Sequence, residues 1–149
     1  MRTLIIDKNA LKNNAAAVKA AAGSSHIYVN LSSDAYGAGA VEVACLLREE
    51  GFSRFAVDDP AVAVALRKAG LVEEEILMLR SLSDRPCLET LLEHNVVCTI
   101  GNLEAGMALN SLAVSHATVA EAHIQLDCGM GFGGFPAEEP ETILSVIRN

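Results

Sequence analysis

Two stretches decide the fold: His26-Ile27-Tyr28-Val29-Asn30-Leu31-Ser32-Ser33-Asp34-Ala35-Tyr36-Gly37-Ala38-Gly39 and Leu126-Asp127-Cys128-Gly129-Met130-Gly131-Phe132-Gly133-Gly134-Phe135. Each follows a short, mostly apolar run, His26 to Leu31 in the first case and Ala122 to Leu126 in the second, which reads as a strand. Each run then gives way to small residues and glycine, the composition of a loop that leaves a strand end. The question for the rest of the chain is whether helices follow such strands in regular alternation.

They do. Upstream, Thr3 to Ile6 is β-branched and apolar, and Asn9 stands as an N-cap before Leu11, Ala15, Val18 and Ala22, with Gly23 closing that helix. After the first deciding stretch, Val43, Leu46 and Leu47 face one way on a helix from Ala40 to Glu50, and Gly51 ends it. Phe52 to Val57 is the next strand, and Asp59-Pro60 opens a helix whose stripe is Val62, Ala65, Leu66 and Ala69. Aspartate suits that cap because its carboxylate accepts from orphan N–H groups, and proline lacks a donor that would go unpaired there.

Gly70 stops the helix, and Glu75 to Leu79 reads as a strand. A helix through Leu88, Leu91 and Leu92 and a strand from Val96 to Ile100 come next. Gly101-Asn102 begins a helix carrying Ala105, Ala108, Leu109 and Leu112, and a final helix runs from about Glu138 to Ile147. Alternation of this kind predicts an α/β fold with parallel pairing through right-handed crossovers. The expected content is about five βα units plus an N-terminal strand and helix, too few for a closed eight-stranded barrel and enough for an open doubly wound sheet. The pattern by itself leaves both open.

Composition narrows the partners. The 149 residues are 51% hydrophobic and 20% charged, the range of a folded globular chain, with a core expected to bury about 70% of the unfolded surface. The net charge of −8, from 19 acidic against 11 basic residues, repels nucleic acid and anionic membranes at long range. It does not exclude a local basic pocket for a small anion. No apolar run approaches the roughly 20 residues of a membrane span. The four cysteines (Cys45, Cys87, Cys98 and Cys128) form no C-x-x-C pair, so a cytoplasmic setting with reduced thiols is expected.

On the two deciding stretches the chain resembles the alanine racemase family, in its N-terminal pyridoxal-phosphate-binding (β/α) barrel domain. Asp34-Ala35-Tyr36-Gly37 with Gly39 resembles the family signature in which a lysine four residues before the tyrosine holds the cofactor as an imine; that position is Ser32. Leu126 to Phe135 resembles the glycine-bearing stretch after the fifth barrel strand, with Gln125 where the family has an often carbamylated lysine and Phe132 where it has an arginine that contacts the cofactor. Ala38 replaces the histidine usual after Tyr36-Gly37. Weaker matches run through Ile6 to Asn13, Phe55 to Val57, Ala65 to Gly70 and Gly101 to Glu104.

The resemblance implies a partial TIM-like barrel over residues 1–149 as a single incomplete domain. Three further strands and the β-rich C-terminal domain, with its catalytic tyrosine lent across a dimer, are outside this sequence. Pyridoxal phosphate is the implied cofactor, and Tyr36 is the implied cofactor-binding residue, at the phosphate. No catalytic residue and no metal site are expected. A serine hydroxyl neither forms an imine nor serves as a base at neutral pH, so the expected module is an impaired or inactive isomerase, a pseudoenzyme. The alternatives are one part of a split, active racemase and a non-catalytic structural or small-molecule-binding partner.

Lys8, Lys12 and Lys19 fall on the first helix or its cap and Lys68 at a helix end, positions where long basic side chains lie on solvated faces. Asp34 also reads as a cap for the following helix. Gly129, Gly131 and Gly134 fit G-x-G-x-x-G, but Pro136 interrupts the helix that a dinucleotide site requires. His26, His94, His116 and His123 lack zinc-ligand spacing. An open parallel sheet edge predicts association, either as a homo-oligomer or with a barrel-completing chain.

Overall fold

The structure, a computed structural model, describes residues 4–138 and 140–148. Its strands β1 (Val29–Asn30), β2 (Arg54–Val57), β3 (Glu75–Ser81), β4 (Val97–Ile100) and β5 (Ala122–Ile124) lie in that order in a five-stranded sheet, with β1–β2, β3–β4 and β4–β5 pairing parallel. Sequential order separates the two architectures left open above. A doubly wound sheet reverses direction from an internal strand, whereas a (β/α) barrel adds each new strand beside the last. The observed order is that of the barrel.

The described residues divide into two compact units, the first ending at Ile76 and the second beginning at Leu77. In the first, α1 (Lys8–Ala22) is followed by β1 (Val29–Asn30), α2 (Ser32–Gly37), α3 (Ala40–Glu49), β2 (Arg54–Val57) and α4 (Pro60–Lys68). Val29 pairs with Phe55 and Asn30 with Ala56. Leu31, Phe55, Val57, Leu66, Leu71 and Ile76 are fully buried. Burial of a side chain of that size stabilises by about 1.5–3 kcal/mol.

Several local readings change here. Leu4 to Ile6 form no strand and Ile5 is 86% exposed, while Thr3 lies outside the described residues. A strand is stable only when its N–H and C=O groups find a ladder partner, and among the described residues β1 pairs with β2 instead. The first helix is capped by Asp7, not Asn9: its carboxylate accepts from Asn9 N at 2.8 Å and Ala10 N at 3.2 Å. Val18 is exposed, so Ala15 carries the buried face. On α4 the buried pair is Ala63 and Leu66, and Ala69 is exposed. Asp59 caps that helix as expected, accepting from Ala61 N at 2.8 Å.

In the second unit, β3 (Glu75–Ser81, begun in the first) leads to α5 (Arg85–Glu93), β4 (Val97–Ile100), α6 (Leu103–Ser115) and β5 (Ala122–Ile124). Asn102 caps α6 through Ala105 N at 2.8 Å. A small parallel pair follows, β6 (Leu126–Asp127) with β7 (Phe135–Pro136), and α7 (Pro140–Arg148) completes the described chain. A Cβ at Gly106 of α6 would lie 2.9 Å from Val146 Cγ1 of α7, so the glycine sets how closely these helices approach. The loop between β6 and β7 returns to a strand, not a helix, which removes the dinucleotide reading of its glycines.

Candidate functional site

Ser32 stands directly beyond β1, at the carboxyl end of a parallel strand, where βα loops of this architecture carry their chemistry. Asn30 lies two residues earlier, the spacing at which an asparagine side chain accepts from backbone two residues on. Ser32 Oγ donates to Asn30 Oδ1 at 2.6 Å, and Ser32 N donates to the same oxygen at 2.9 Å. The other end of the amide, Asn30 Nδ2, donates to Tyr36 Oη at 3.2 Å. Ser32 and Tyr36 are therefore joined through Asn30. The tyrosine hydroxyl accepts inside the network and keeps its proton for an outside acceptor, on a side chain that is 76% exposed.

The backbone between them is unusual. Ser33, Asp34, Ala35 and Tyr36 all have φ between 52° and 58° and ψ between 33° and 48°, so α2 is a left-handed helical turn built without glycine at these four positions. Left-handed helix costs L-residues roughly 1–2 kcal/mol each. Compensation comes from fixed partners. Ser33 N reaches both oxygens of Asp58, beyond the end of β2, at 3.3 and 3.2 Å. Ala35 N donates to Leu31 O at 2.9 Å, and Gly39 N to Asp34 O at 3.0 Å. Asp34 Oδ1 accepts from Ala40 N at 2.7 Å, so this carboxylate caps α3, as its position suggested.

In the second unit, Gln125 sits one residue beyond β5. Its backbone is held at both ends: N donates to Ile100 O at 2.9 Å, and its carbonyl accepts from Phe135 N at 2.8 Å. A Cβ at Gly101 would lie 3.0 Å from Gln125 Oε1, so the neutral amide packs against the glycine that ends β4. Gly101 N in turn donates to Ser81 Oγ, at the end of β3, at 2.9 Å. Phe132 is 83% exposed, out on the glycine loop. Asp127 anchors that loop by accepting from Gly129 N at 2.9 Å and Gly131 N at 3.1 Å. The N–H groups of Gly131 and Gly129 hold its carboxyl below the usual carboxylate range.

Three of these residues escape sequence reading. Asn30 has a signal, the two-residue spacing from Ser32, and Asp127 has one in Asp-x-Gly, an aspartate bonding backbone two residues on. Asp58 has none that is local, because its partner is 25 positions away. Two of the lysines are occupied away from the strand end. Lys12 Nζ pairs with Glu50 at 2.9 Å, with its pKa raised by that bond, and Lys19 Nζ donates to Glu50 O and lies 4.7 Å from the Phe52 ring centre. Lys8 and Lys68 are exposed on α1 and α4. Among the thiols, Cys98 is buried in β4 and burial pushes it up to about 11, whereas Cys128 is exposed.

Comparison with known proteins agrees with this geometry. The alanine racemase of Clostridium tetani is 33% identical over 130 residues, 87% of this chain and 33% of the relative. That of Halothermothrix orenii is 36% identical over 127 residues, 85% of this chain and 33% of the relative. The solved alanine racemase of Clostridium difficile 630 superposes with a TM-score of 0.84 at 29% identity, covering 94% of this chain and 37% of that one. A histidine racemase from Leuconostoc mesenteroides matches at TM-score 0.84 and 21% identity, which speaks to fold alone. The chain spans about a third of the length of these curated relatives. The profile described as "Alanine racemase, N-terminal domain" matches residues 6–149, and with the consecutive parallel strands and the Ser32 and glycine-loop segments at their ends, the chain belongs to that family.

Proposed function

We propose that this chain is an alanine-racemase-type module that does not racemise. The observation that carries the reading is Ser32 at the end of β1, whose hydroxyl is spent on Asn30 Oδ1 at 2.6 Å. The family uses pyridoxal phosphate, which supplies an electron sink for a substrate carbanion once its aldehyde is held by a lysine amine. The residues here do not fit that attachment. Position 32 offers a neutral hydroxyl, position 125 an amide, and Lys12 and Lys19 are engaged with Glu50. What fits is the weaker part of the site. Tyr36 presents a hydroxyl proton to an anionic oxygen, which supports noncovalent holding of a small phosphorylated or carboxylated molecule.

The test is borohydride trapping after incubation with pyridoxal phosphate, with peptide mapping and an assay for inversion of alanine. The native chain is expected to give neither turnover nor a site-specific adduct. Ser32→Lys is expected to give a trapped adduct at position 32. An adduct mapped to a native lysine together with amino-acid inversion by the native chain overturns the reading and favours an active enzyme.

A further inference from the structure

The opposite ends of β1 and β2 hold a second feature that the racemase reading does not use. A recess of about 260 Å³ lies where the end of α1, the approach to β1 and the start of β2 meet, all within the first unit. It is lined by Lys19, Ser25, His26, Phe52, Ser53 and Arg54 among others, and no carboxylate is in its lining. In a chain with 19 acidic and 11 basic residues this lining departs from the net charge, with Lys19 as its unpaired cation among the described residues because Arg54 is ion-paired to Glu75.

The hydrogen bonds show which donors are unspent. Arg54 Nε binds Glu75 Oε2 at 3.1 Å, and Arg54 Nη1 lies 2.7 Å from His26 Nδ1. A guanidinium only donates, so His26 Nδ1 is the acceptor and the imidazole proton sits on Nε2, a donor. Lys19 Nζ contacts the Glu50 carbonyl and the face of Phe52, neither of which cancels its charge; the Glu50 carboxylate is paired with Lys12. The second terminal nitrogen of Arg54, two protons of Lys19, His26 Nε2 and the hydroxyls of Ser25 and Ser53 have no hydrogen-bond partner among the described residues. These are donors of several kinds around one small volume: a point-charge ammonium, one guanidinium nitrogen, a neutral N–H and two hydroxyls.

We infer that this recess is a binding site for a small tetrahedral oxyanion of the phosphate type, either the free ion or the head of a phosphate monoester. Lysine supplies charge, the remaining terminal nitrogen of arginine supplies directional donation, and the neutral donors complete the shell. The site lies at the strand ends remote from Ser32 and is independent of any cofactor chemistry.

The experiment is a two-dimensional amide NMR titration of the full chain at low ionic strength, with inorganic phosphate in one arm, phenyl phosphate in a second and sodium chloride of matched ionic strength in a third. Inorganic phosphate is expected to shift the amides of Ser25, Gly51, Ser53 and Arg54 saturably, while chloride does not. Phenyl phosphate producing the same pattern assigns the site to esters as well; phosphate alone assigns it to the free ion. Lys19→Gln is expected to weaken binding about tenfold, the loss of one charge-assisted bond. Ser25→Asp, at an exposed loop position that does not threaten the fold, is expected to abolish it. Shifts that chloride reproduces, or that persist unchanged in both variants, overturn the proposal.

Discussion

The turn after β1 and the loop between β6 and β7 both run through left-handed backbone, and they reach it by opposite means. From Ser33 to Tyr36, four residues with side chains are held there by Asp58, Asp34, Leu31 and Asn30. From Gly129 to Gly134, four glycines adopt positive φ, tied down mainly by the Asp127 carboxylate. The first device stores several kcal/mol of backbone strain and needs surrounding structure to over-determine it. The second costs little enthalpy and gives up chain entropy. A strained, multiply bonded turn suits a position where a hydroxyl must be aimed, and a glycine loop suits close approach of backbone to backbone.

Four perturbations break or sharpen that contrast. The largest effect is expected from Gly134→Ala: φ is +108°, and the new Cβ would sit 2.8 Å from Asp127 N and 2.9 Å from the Leu126 carbonyl carbon. We expect a loss of about 2–4 kcal/mol by denaturant titration; a loss under about half a kcal/mol would show that the loop yields without cost. Next, Asp34→Ala removes the carboxylate bonded to Ala40 N and should cost about 1 kcal/mol, the value of a helix cap. Asp34→Asn should recover most of it, as read by the thermal midpoint.

A smaller effect of the opposite sign is expected for Ser33→Gly. Relief of left-handed strain, roughly 1–2 kcal/mol, exceeds the entropy glycine loses on folding, roughly 0.5–1 kcal/mol, so the midpoint should rise slightly. A fall would mean that Ser33 is not strained. The smallest expected effect is a pH response confined to the glycine loop. The Asp127 pKa is lowered by Gly131 and Gly129 N–H groups, so its contribution is complete above the ordinary aspartate value and is lost as pH falls through the depressed folded value. Amide signals of Gly129 and Gly131 should therefore stay in place where free aspartate is half protonated and move only on further acidification. Asp127→Ala should abolish this titration.

The helices and inner strands were legible because their determinants are local. Asp59-Pro60, Asn102 and Gly23 mark ends by chemistry acting within one turn, and the buried leucines Leu66, Leu88, Leu91, Leu109 and Leu112 keep helical spacing. Misreadings occur where a local pattern met a non-local requirement. Leu4 to Ile6 have strand composition and no partner among the described residues, and Asp7 outcompetes Asn9 because the helix begins at Lys8. Ser32, Tyr36, Gln125 and Phe132 were singled out by position in a motif. Asn30 was missed although its bonds to Ser32 and Tyr36 are local, and Asp58 was missed because its role exists only once β1 and β2 lie side by side.

Sequence alone settled the alternation of strands and helices, the acidic net charge and a serine at position 32, since each follows from residue identity or short-range periodicity. Tertiary structure alone decided that the strands add in consecutive order and that Ser33 to Tyr36 wind left-handed. It also decided that Lys19, His26 and Arg54 share one recess. Strand order depends on which ladder closes, and a left-handed run of ordinary residues is locally unfavourable. It is held by local bonds to Asn30, Leu31 and Asp34 together with Asp58, a partner 25 positions away.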